Sequence, residues 1–377
     1  MWPSIKTCTR CVMNDASDKT IRFDEQGRCN YCTTSLSVRP RVYFPNEEGK
    51  RKVEAMVARI KRDQKGKRYD CIMGLSGGMD SSYLAYLGHT WGLRILGVHI
   101  DDGYDTEISK QNLRNLCEAA SIELRTITPD SVQYNALLLA YMKAGVANLD
   151  VPQDNTLIGF LHESCRKEGV LYYLSGENFS TECILQQGIV FDYCDLTNLR
   201  AIHRRFGTQP IDHLRFTSQW RNQWFGMTHR VYCPLNWVEY TREKAWKELG
   251  EFCGFSYYGR KHLENELTAF IQTYWFPKKF GVDKRTSHLS SLIVSGQMTR
   301  EEALKELQEP LYDPEQMKGI IAKIQSNCSL STAEFEQIMT APTHHHTDFP
   351  YNRAWKVLQK IKHDWLKALI FTKRAIL

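Results

Sequence analysis

The pattern of apolar and polar positions divides the chain into three parts. Up to about Cys32 it shows little periodicity and is rich in Cys, Asn and Asp; a basic connector containing Pro40 then runs from residue 33 to about 49. Beyond it the pattern becomes regular. Val53, Met56, Val57 and Ile60 recur at helical spacing and predict a helix over 51–65. An apolar run at 71–75 predicts a buried strand, with further strands at 95–100, 123–127 and 170–174 and 231–234 as a candidate for a last one. Helical signals fall between them, at 81–88, 107–120, 131–144 and 155–167. This alternation implies an α/β fold with a parallel sheet covered by helices. From about Thr241 helix signals dominate. Thr299 with Glu302 and Ser331 with Glu334 form capping boxes, and Asp313 before Pro314 starts another helix. The expected division is 1–49, 50–240 and 241–377.

Composition narrows the class only a little. The chain has 377 residues, 42% hydrophobic and 24% charged, enough for a sizeable core. Its formal charge of +6 is a mild bias that suits an anionic small molecule at least as well as nucleic acid. No stretch reaches the roughly 20 apolar residues of a membrane helix. The opening residues, from Met1 to Lys6, do not read as a signal peptide, so a cytoplasmic location is expected. Twelve cysteines there are expected as thiols or metal ligands rather than disulfides.

Four of them are paired. Cys8-x-x-Cys11 and Cys29-x-x-Cys32 can present four thiolates to one tetrahedral Zn²⁺, with 24–28 as a turn leading into the second pair. A site filled by four protein ligands is structural rather than catalytic. A redox role fits less well, because neither pair opens a helix after a strand. His344-His345-His346 reads as a solvated loop more readily than as a metal site.

The loop after the first strand carries the chemistry. It reads Leu75-Ser76-Gly77-Gly78-Met79-Asp80-Ser81-Ser82, with a helix starting at once. Glycines let backbone N–H groups approach phosphate oxygens, and a following helix N-terminus adds to the cradle. Ser76, Gly77, Gly78, Asp80, Ser81 and Ser82 are therefore candidates for holding a nucleotide's phosphates. A Walker-type lysine is absent from the loop, which argues against a kinase or GTPase. Asp101 and Asp102 end the second strand, where a ribose or Mg²⁺ would sit. Gly176, Glu177, Asn178 and Glu182 follow another strand and meet the nucleotide or substrate from the same edge.

Ser-Gly-Gly-x-Asp-Ser is similar to the PP-loop signature of ATP pyrophosphatases. With the first cysteine pair, 150–154, 174–178 with Thr181-Glu182, 258–264, 279–285 and 288–290, the chain resembles the N-acetyl sugar amidotransferases, the WbpG- and PseA-like proteins. The likeness runs from the first cysteine to about Tyr312. It departs at Glu177, where the family usually has glycine, which leaves that position's role open. The resemblance implies a PP-loop ATP-pyrophosphatase domain over 50–240, an N-terminal zinc ribbon, and a helical region for substrate and partner contacts. It implies an AMP-forming enzyme using ATP and Mg²⁺. The enzyme converts the acetamido group of a nucleotide-linked sugar to an acetamidino group, for lipopolysaccharide O-antigen or nonulosonate biosynthesis. Ammonia would come from a partner glutaminase and barrel pair. Asp80, Lys261, His262, Lys284 and Arg285 are the catalytic candidates, with Lys278 and Lys279 as further phosphate-binding ones.

Two other readings stand beside this one: a zinc-containing PP-loop enzyme that thiolates tRNA, and a non-catalytic zinc-ribbon scaffold. No CxxC follows the loop, and the charge is low for a tRNA binder. A basic amphipathic helix from about Asn352 is read either as packed on its own domain or as a site that docks a partner or grazes a membrane.

Overall fold

The computed structural model of the chain describes residues 5–259 and 263–359. Its centre is a sheet of five parallel strands: β1 (Cys71–Gly74), β2 (Ile95–Ile100), β3 (Glu123–Ile127), β4 (Tyr172–Leu174) and β5 (Arg230–Tyr232). Their order is β3-β2-β1-β4-β5. All five lie where the sequence placed strands; the candidate at 231–234 is the edge strand β5, and β3 at the other edge is only half-buried. Met73 pairs with Gly97 on one side and Leu174 on the other. The positions of β1 and β2 are buried on both faces, which explains continuous apolar runs in place of alternation. The order reverses between β1 and β4, and open α/β sheets bind ligands at such a crevice.

Helix boundaries place the side chains that face this crevice. Helix Met79–Thr90 starts two residues before the expected 81, because the loop turns within Ser76, Gly77 and Gly78. Helix Val151–Glu168 starts four residues before 155, with Pro152 in its first turn. That earlier start puts Asp150 and Asp154 one turn apart on one face.

The connector expected at 33–49 is mostly helix. Asn30–Val42 begins on the second cysteine pair, with the Cys29 sulfur capping Cys32 N. Its buried face is only Tyr31, Cys32 and Ser35, too sparse to show as a period. Pro40 sits in its last turn, and the helix ends two residues later at Val42.

The helical region is built into the sheet domain. Helix Arg242–Cys253 packs against Met79–Thr90 and Glu107–Ala119. Ala245 and Leu249 join a core with Val53, Met73, Leu84 and Leu113. Helix Ser131–Ala144 shares a second core with Phe270, Trp275, Ile324 and Phe335. Both capping boxes form, and Asp313 caps helix Pro314–Asn327. Of the three histidines expected in a solvated loop, His346 is buried instead. It stacks on Phe191 at 4.4 Å and bonds Asn198, and burial pushes its pKa down to about 3.

Candidate active site and metal centre

The loop after β1 forms an anion cradle whose shape requires glycine. Gly77 has φ +75°, and a Cβ there would stand 2.2 Å from the Ser109 carbonyl oxygen. At Gly78 a Cβ would stand 2.6 Å from Glu264 Oε1. Ser76 Oγ accepts from Gly78 N at 3.1 Å and lies 3.2 Å from Ser81 Oγ, so the two hydroxyls face each other across the turn. Gly78 caps the helix without a side-chain bond, which keeps its N-terminus available to an anion. Tyr258 OH accepts from Met79 N at 2.8 Å, and Tyr240 OH donates to Asp80. Ser82 Oγ is buried without a hydrogen-bond partner among the described residues. This backbone fits a phosphate or pyrophosphate group.

Two chambers open from the crevice. The one beside the loop, about 400 Å³, is lined by Ser76, Gly78, Asp80, Ser81, Tyr240 and Arg242 among others. The larger, about 790 Å³, reaches from the ends of β1 and β2 to Lys284 and His288. Ser76, Asp154, Glu177, Glu182 and Glu264 line both, so the chambers meet along an acidic seam.

Charge in this cleft is strongly lopsided. Desolvation pushes Asp150 up to about 6, against the pull of Lys284. Asp154 is pushed well up by desolvation and by Asp150 and Glu177, and Glu177 by desolvation and Glu182. Asp150 Oδ1 has no hydrogen-bond partner among the described residues. Carboxylates held this way favour positive charge in the cleft, although among the described residues only the four cysteines bring three or more ligand atoms close enough to hold a metal ion.

The floor of the larger chamber is a buried polar network. Asp102 accepts from Tyr104 N, Asn265 Nδ2, Gln153 Nε2 and Tyr134 OH, and burial still pushes it up to about 6. His99 lies 2.8 Å from the Leu75 carbonyl through Nδ1 and 3.0 Å from Asp105 Oδ2 through Nε2. Burial opposes its charge, but Asp105 and the carbonyl outweigh burial and raise its pKa. An acceptor at each nitrogen favours the imidazolium, fixed directly beneath the loop.

The four paired cysteines converge as their spacing implies. Cys8, Cys11, Cys29 and Cys32 are buried, and their sulfurs all lie within 4.8 Å of one another. Cys8–Cys32 is 3.8 Å and Cys11–Cys29 is 3.6 Å, near the ~3.8 Å edge of a tetrahedron with metal–sulfur bonds of about 2.3 Å. Backbone N–H groups of Cys11, Cys29 and Cys32 point at the sulfurs. Such donors stabilise thiolates, so the donor set fits a metal ion. The knuckle is bolted to the C-terminal helices. Arg300 donates to the Cys8 and Cys11 carbonyls, and Val12 N donates to Ser290 Oγ. Ser290 lies on helix Arg285–Ser295, which packs on Phe179–Glu182. The metal knuckle thus braces the segment that carries Glu182 and the helix that carries His288.

The structure brings together most of the expected site residues. Ser76, Gly78, Asp80, Ser81, Gly176, Glu177 and Glu182 line the loop chamber, and Asn178 and Lys284 the larger one. Asp101, Arg285, Lys279, Ser82 and Lys278 line neither chamber. Asp101 accepts from Gly103 N, and its neighbour Asp102 is the acid that faces the chamber. Arg285 is spent on Asp283 and on the carbonyls of Glu306, Leu307 and Glu309. Lys279 staples the Ile338 and Ala341 carbonyls. Lys261 and His262 lie outside the described residues. Sequence reasoning gave no role to Tyr240, His99, Asp105 or Asn265. None belongs to a spacing motif, and only the fold sets them beside the loop.

Known proteins match parts of the chain. Residues 264–362 match the family model "LPS biosynthesis protein WbpG-like, C-terminal domain". An uncharacterized protein of Methanocaldococcus jannaschii, MJ1599, is 30% identical over 125 residues, 33% of this chain and 43% of that protein. The tRNA(Ile)-lysidine synthase of Chlamydia pneumoniae is 28% identical over 155 residues, 40% of this chain and 44% of that one. The chain thus spans less than half the length of these curated relatives. Among solved structures, the NH3-dependent NAD synthetase of Campylobacter jejuni superposes with a TM-score of 0.33 at 15% identity, covering 74% of this chain and 94% of that one. The U34-tRNA thiolase NcsA of Methanococcus maripaludis, with its [4Fe-4S] cluster, gives 0.31 at 12%, covering 81% and 89%. These superpositions are loose and leave the reaction open. The strand order and the glycine loop at its switch point define a parallel α/β fold with a phosphate cradle. The chain carries a WbpG-like C-terminal domain.

Proposed function

We propose that the chain is an AMP-forming amidotransferase that converts the acetamido group of a nucleotide-linked sugar to an acetamidino group, in the making of a bacterial surface polysaccharide. One observation carries this reading: the phosphate cradle and the matched domain share a cleft. Glu264, the first matched residue, lines both chambers, and Lys284 and His288 line the larger.

The loop chamber takes the pyrophosphate end of ATP, and the larger chamber takes the adenosine and the sugar. Mg²⁺ is the divalent ion suited to Asp154, Glu177 and Glu182 beside the phosphates. Lys284 supplies positive charge for the substrate's own phosphates. The amide oxygen attacks the α-phosphorus, and pyrophosphate leaves against the loop N–H groups. Neutral ammonia then attacks the imidate carbon, and AMP leaves with the former amide oxygen. The nitrogen's surplus protons pass to a carboxylate, and Asp150, pushed up to about 6, is suited to take one near neutral pH. The chain's work is positioning and charge compensation. Zn²⁺ in the knuckle is structural, and a glutaminase and barrel pair in the cytoplasm supplies ammonia.

The rival thiolase reading needs a nucleophilic sulfur at the site. Cys183 and Cys233 do line the larger chamber, but burial pushes both thiols up, Cys233 to about 12. That is the reverse of thiolate activation.

The test is an ¹⁸O-labelled acetamido sugar nucleotide with ATP and ammonium. Label should appear in AMP, and the product should be lighter than its unlabelled precursor by about one mass unit, the difference between O and NH. The rate should climb as pH rises toward the ammonium pKa, and a glutaminase pair with glutamine should restore it at pH 7. Label-free AMP, or pyrophosphate release that requires tRNA, would overturn the reading.

A further inference from the structure

Two segments distant in the chain close the loop chamber, and each is tied to the loop itself. Tyr240 OH donates to Asp80, and Gln297 Nε2 donates to the Tyr240 carbonyl at 2.6 Å. Tyr258 OH accepts from Met79 N at 2.8 Å. Helix Arg242–Cys253 lies between these anchors in the chain, capped by Thr241. It packs against helix Met79–Thr90, whose N-terminus completes the cradle. Its first residue, Arg242, lines the chamber. The Tyr257 hydroxyl meets the guanidinium. Arg242 and Tyr257 also line an outer hollow of about 490 Å³, so they belong to the wall that the two spaces share.

Charge sets Arg242 apart. Asp80, Asp154, Glu177, Glu182 and Glu264 line the loop chamber, and among the described residues only Arg242 adds a basic side chain to that lining. The cradle's N–H groups and hydroxyls supply dipoles, whereas a polyphosphate brings several negative charges into a wall of carboxylates. A guanidinium stays protonated and presents a planar fork of N–H donors that matches two phosphate oxygens. Other arginines are committed to the fold. Arg285 holds Asp283 and three carbonyls, Arg94 holds the buried Asp70, and Arg300 holds the Cys8 and Cys11 carbonyls. The Arg242 ion pair is of another kind. Its Nε stands 3.4 Å from Glu243 Oε1, a carboxylate whose side chain is 74% exposed. A surface pair of that sort is weak and readily exchanged for a stronger acceptor.

We propose that Arg242 binds the pyrophosphate of ATP and stabilises it as it leaves. The inference rests on the adenylation assigned above. As the amide oxygen forms its bond to the α-phosphorus, the bond from that phosphorus to the bridging oxygen breaks. The electron pair stays on pyrophosphate, and negative charge grows there beside Arg242, which gives up no proton. Tyr257 holds the guanidinium and acts through it, as a positioning residue.

The experiment is calorimetric titration of the full chain with inorganic pyrophosphate and with AMP, alongside pyrophosphate release from ATP with the acetamido sugar nucleotide. Arg242→Ala should weaken pyrophosphate binding by about 10- to 100-fold and slow release comparably, with AMP affinity and Tm near wild type. Arg242→Lys should recover part of the loss, because it keeps the charge without the fork. Glu243→Gln, which removes the exposed partner, should bind pyrophosphate at least as well as the wild type. A wild type that binds no pyrophosphate overturns the proposal. So does an equal loss of AMP affinity in Arg242→Ala, which would set the arginine against the adenosine end rather than the leaving group. The two readings fail separately: turnover that requires tRNA overturns the sugar, whereas unchanged pyrophosphate affinity in Arg242→Ala overturns the arginine.

Discussion

The knuckle and the cleft are both clusters of groups that carry negative charge, and they handle it in opposite ways. In the knuckle four sulfurs within 4.8 Å of one another receive backbone N–H groups and fit one resident ion. In the cleft, carboxylates from the second and fourth strand ends and from helix Val151–Glu168 face one another beside Lys284. Desolvation leaves several of them with raised pKa values. The knuckle is a closed donor set, whereas the cleft holds desolvated carboxylates that the proposed cation and phosphates would relieve. Strain of this kind is what a binding site stores at the cost of stability.

The largest effect should come from breaking the cradle that lines the cleft. Gly77→Val places a branched side chain against the Ser109 carbonyl at a positive φ. It should cut pyrophosphate release by on the order of 10³, and Asp80→Ala should do comparably; near wild-type release in either variant would remove the loop from the site. Next comes the knuckle itself. Metal analysis should give about one equivalent of zinc per chain, and Cys11→Ser should cost several kcal/mol, lowering Tm by about 10 °C. A metal-free chain that melts like the wild type would show the knuckle to be four ordinary thiols.

Two neighbours sharpen the contrast at a smaller scale. Lys284 lines the cleft, while Arg285 ties Asp283 to the end of helix Arg300–Glu306. Lys284→Ala should lower kcat/KM by about 10- to 100-fold with little change in Tm. Arg285→Ala should lower Tm by several degrees and leave KM near wild type. The reverse pattern would exchange their roles.

The smallest effect tests the strain. Asp150 has an ordinary value of 3.8 and sits near 6 in the folded chain. Between those values the folded state binds the extra proton, so its contribution to stability falls as pH rises from about 4 to about 6 and stays low above. Asp150→Asn should therefore raise Tm by a few degrees at pH 7.5, worth about 1–3 kcal/mol, with no gain near pH 4. Mg²⁺ should stabilise the wild type more than the variant. Equal melting of the two at pH 7.5 would show that the carboxylate is not strained.

What could be read beforehand follows the same division. The knuckle, the loop and the strand positions were legible because local spacing specifies them. Two CxxC pairs close one site, a glycine turn after a strand makes one cradle, and buried strands are continuous apolar runs. The helix over Asn30–Val42 was not, because its inward face is cysteine, serine and tyrosine rather than a hydrophobic stripe. Nor was the start of helix Val151–Glu168, which decides that Asp150 and Asp154 share a face.

By itself the sequence determined a parallel α/β fold, a phosphate loop and a four-cysteine site, since each depends on contacts between residues near in the chain or on a repeated period. The tertiary structure alone decided which acid of Asp101 and Asp102 faces the chamber, that Lys284 and not Arg285 points into the cleft, and that Tyr240 and His99 hold the loop. Adjacent residues point in different directions, and which one reaches the site depends on the packing of elements far apart in the chain. Tyr240 and Asp80 are 160 positions apart, and no local spacing encodes their meeting.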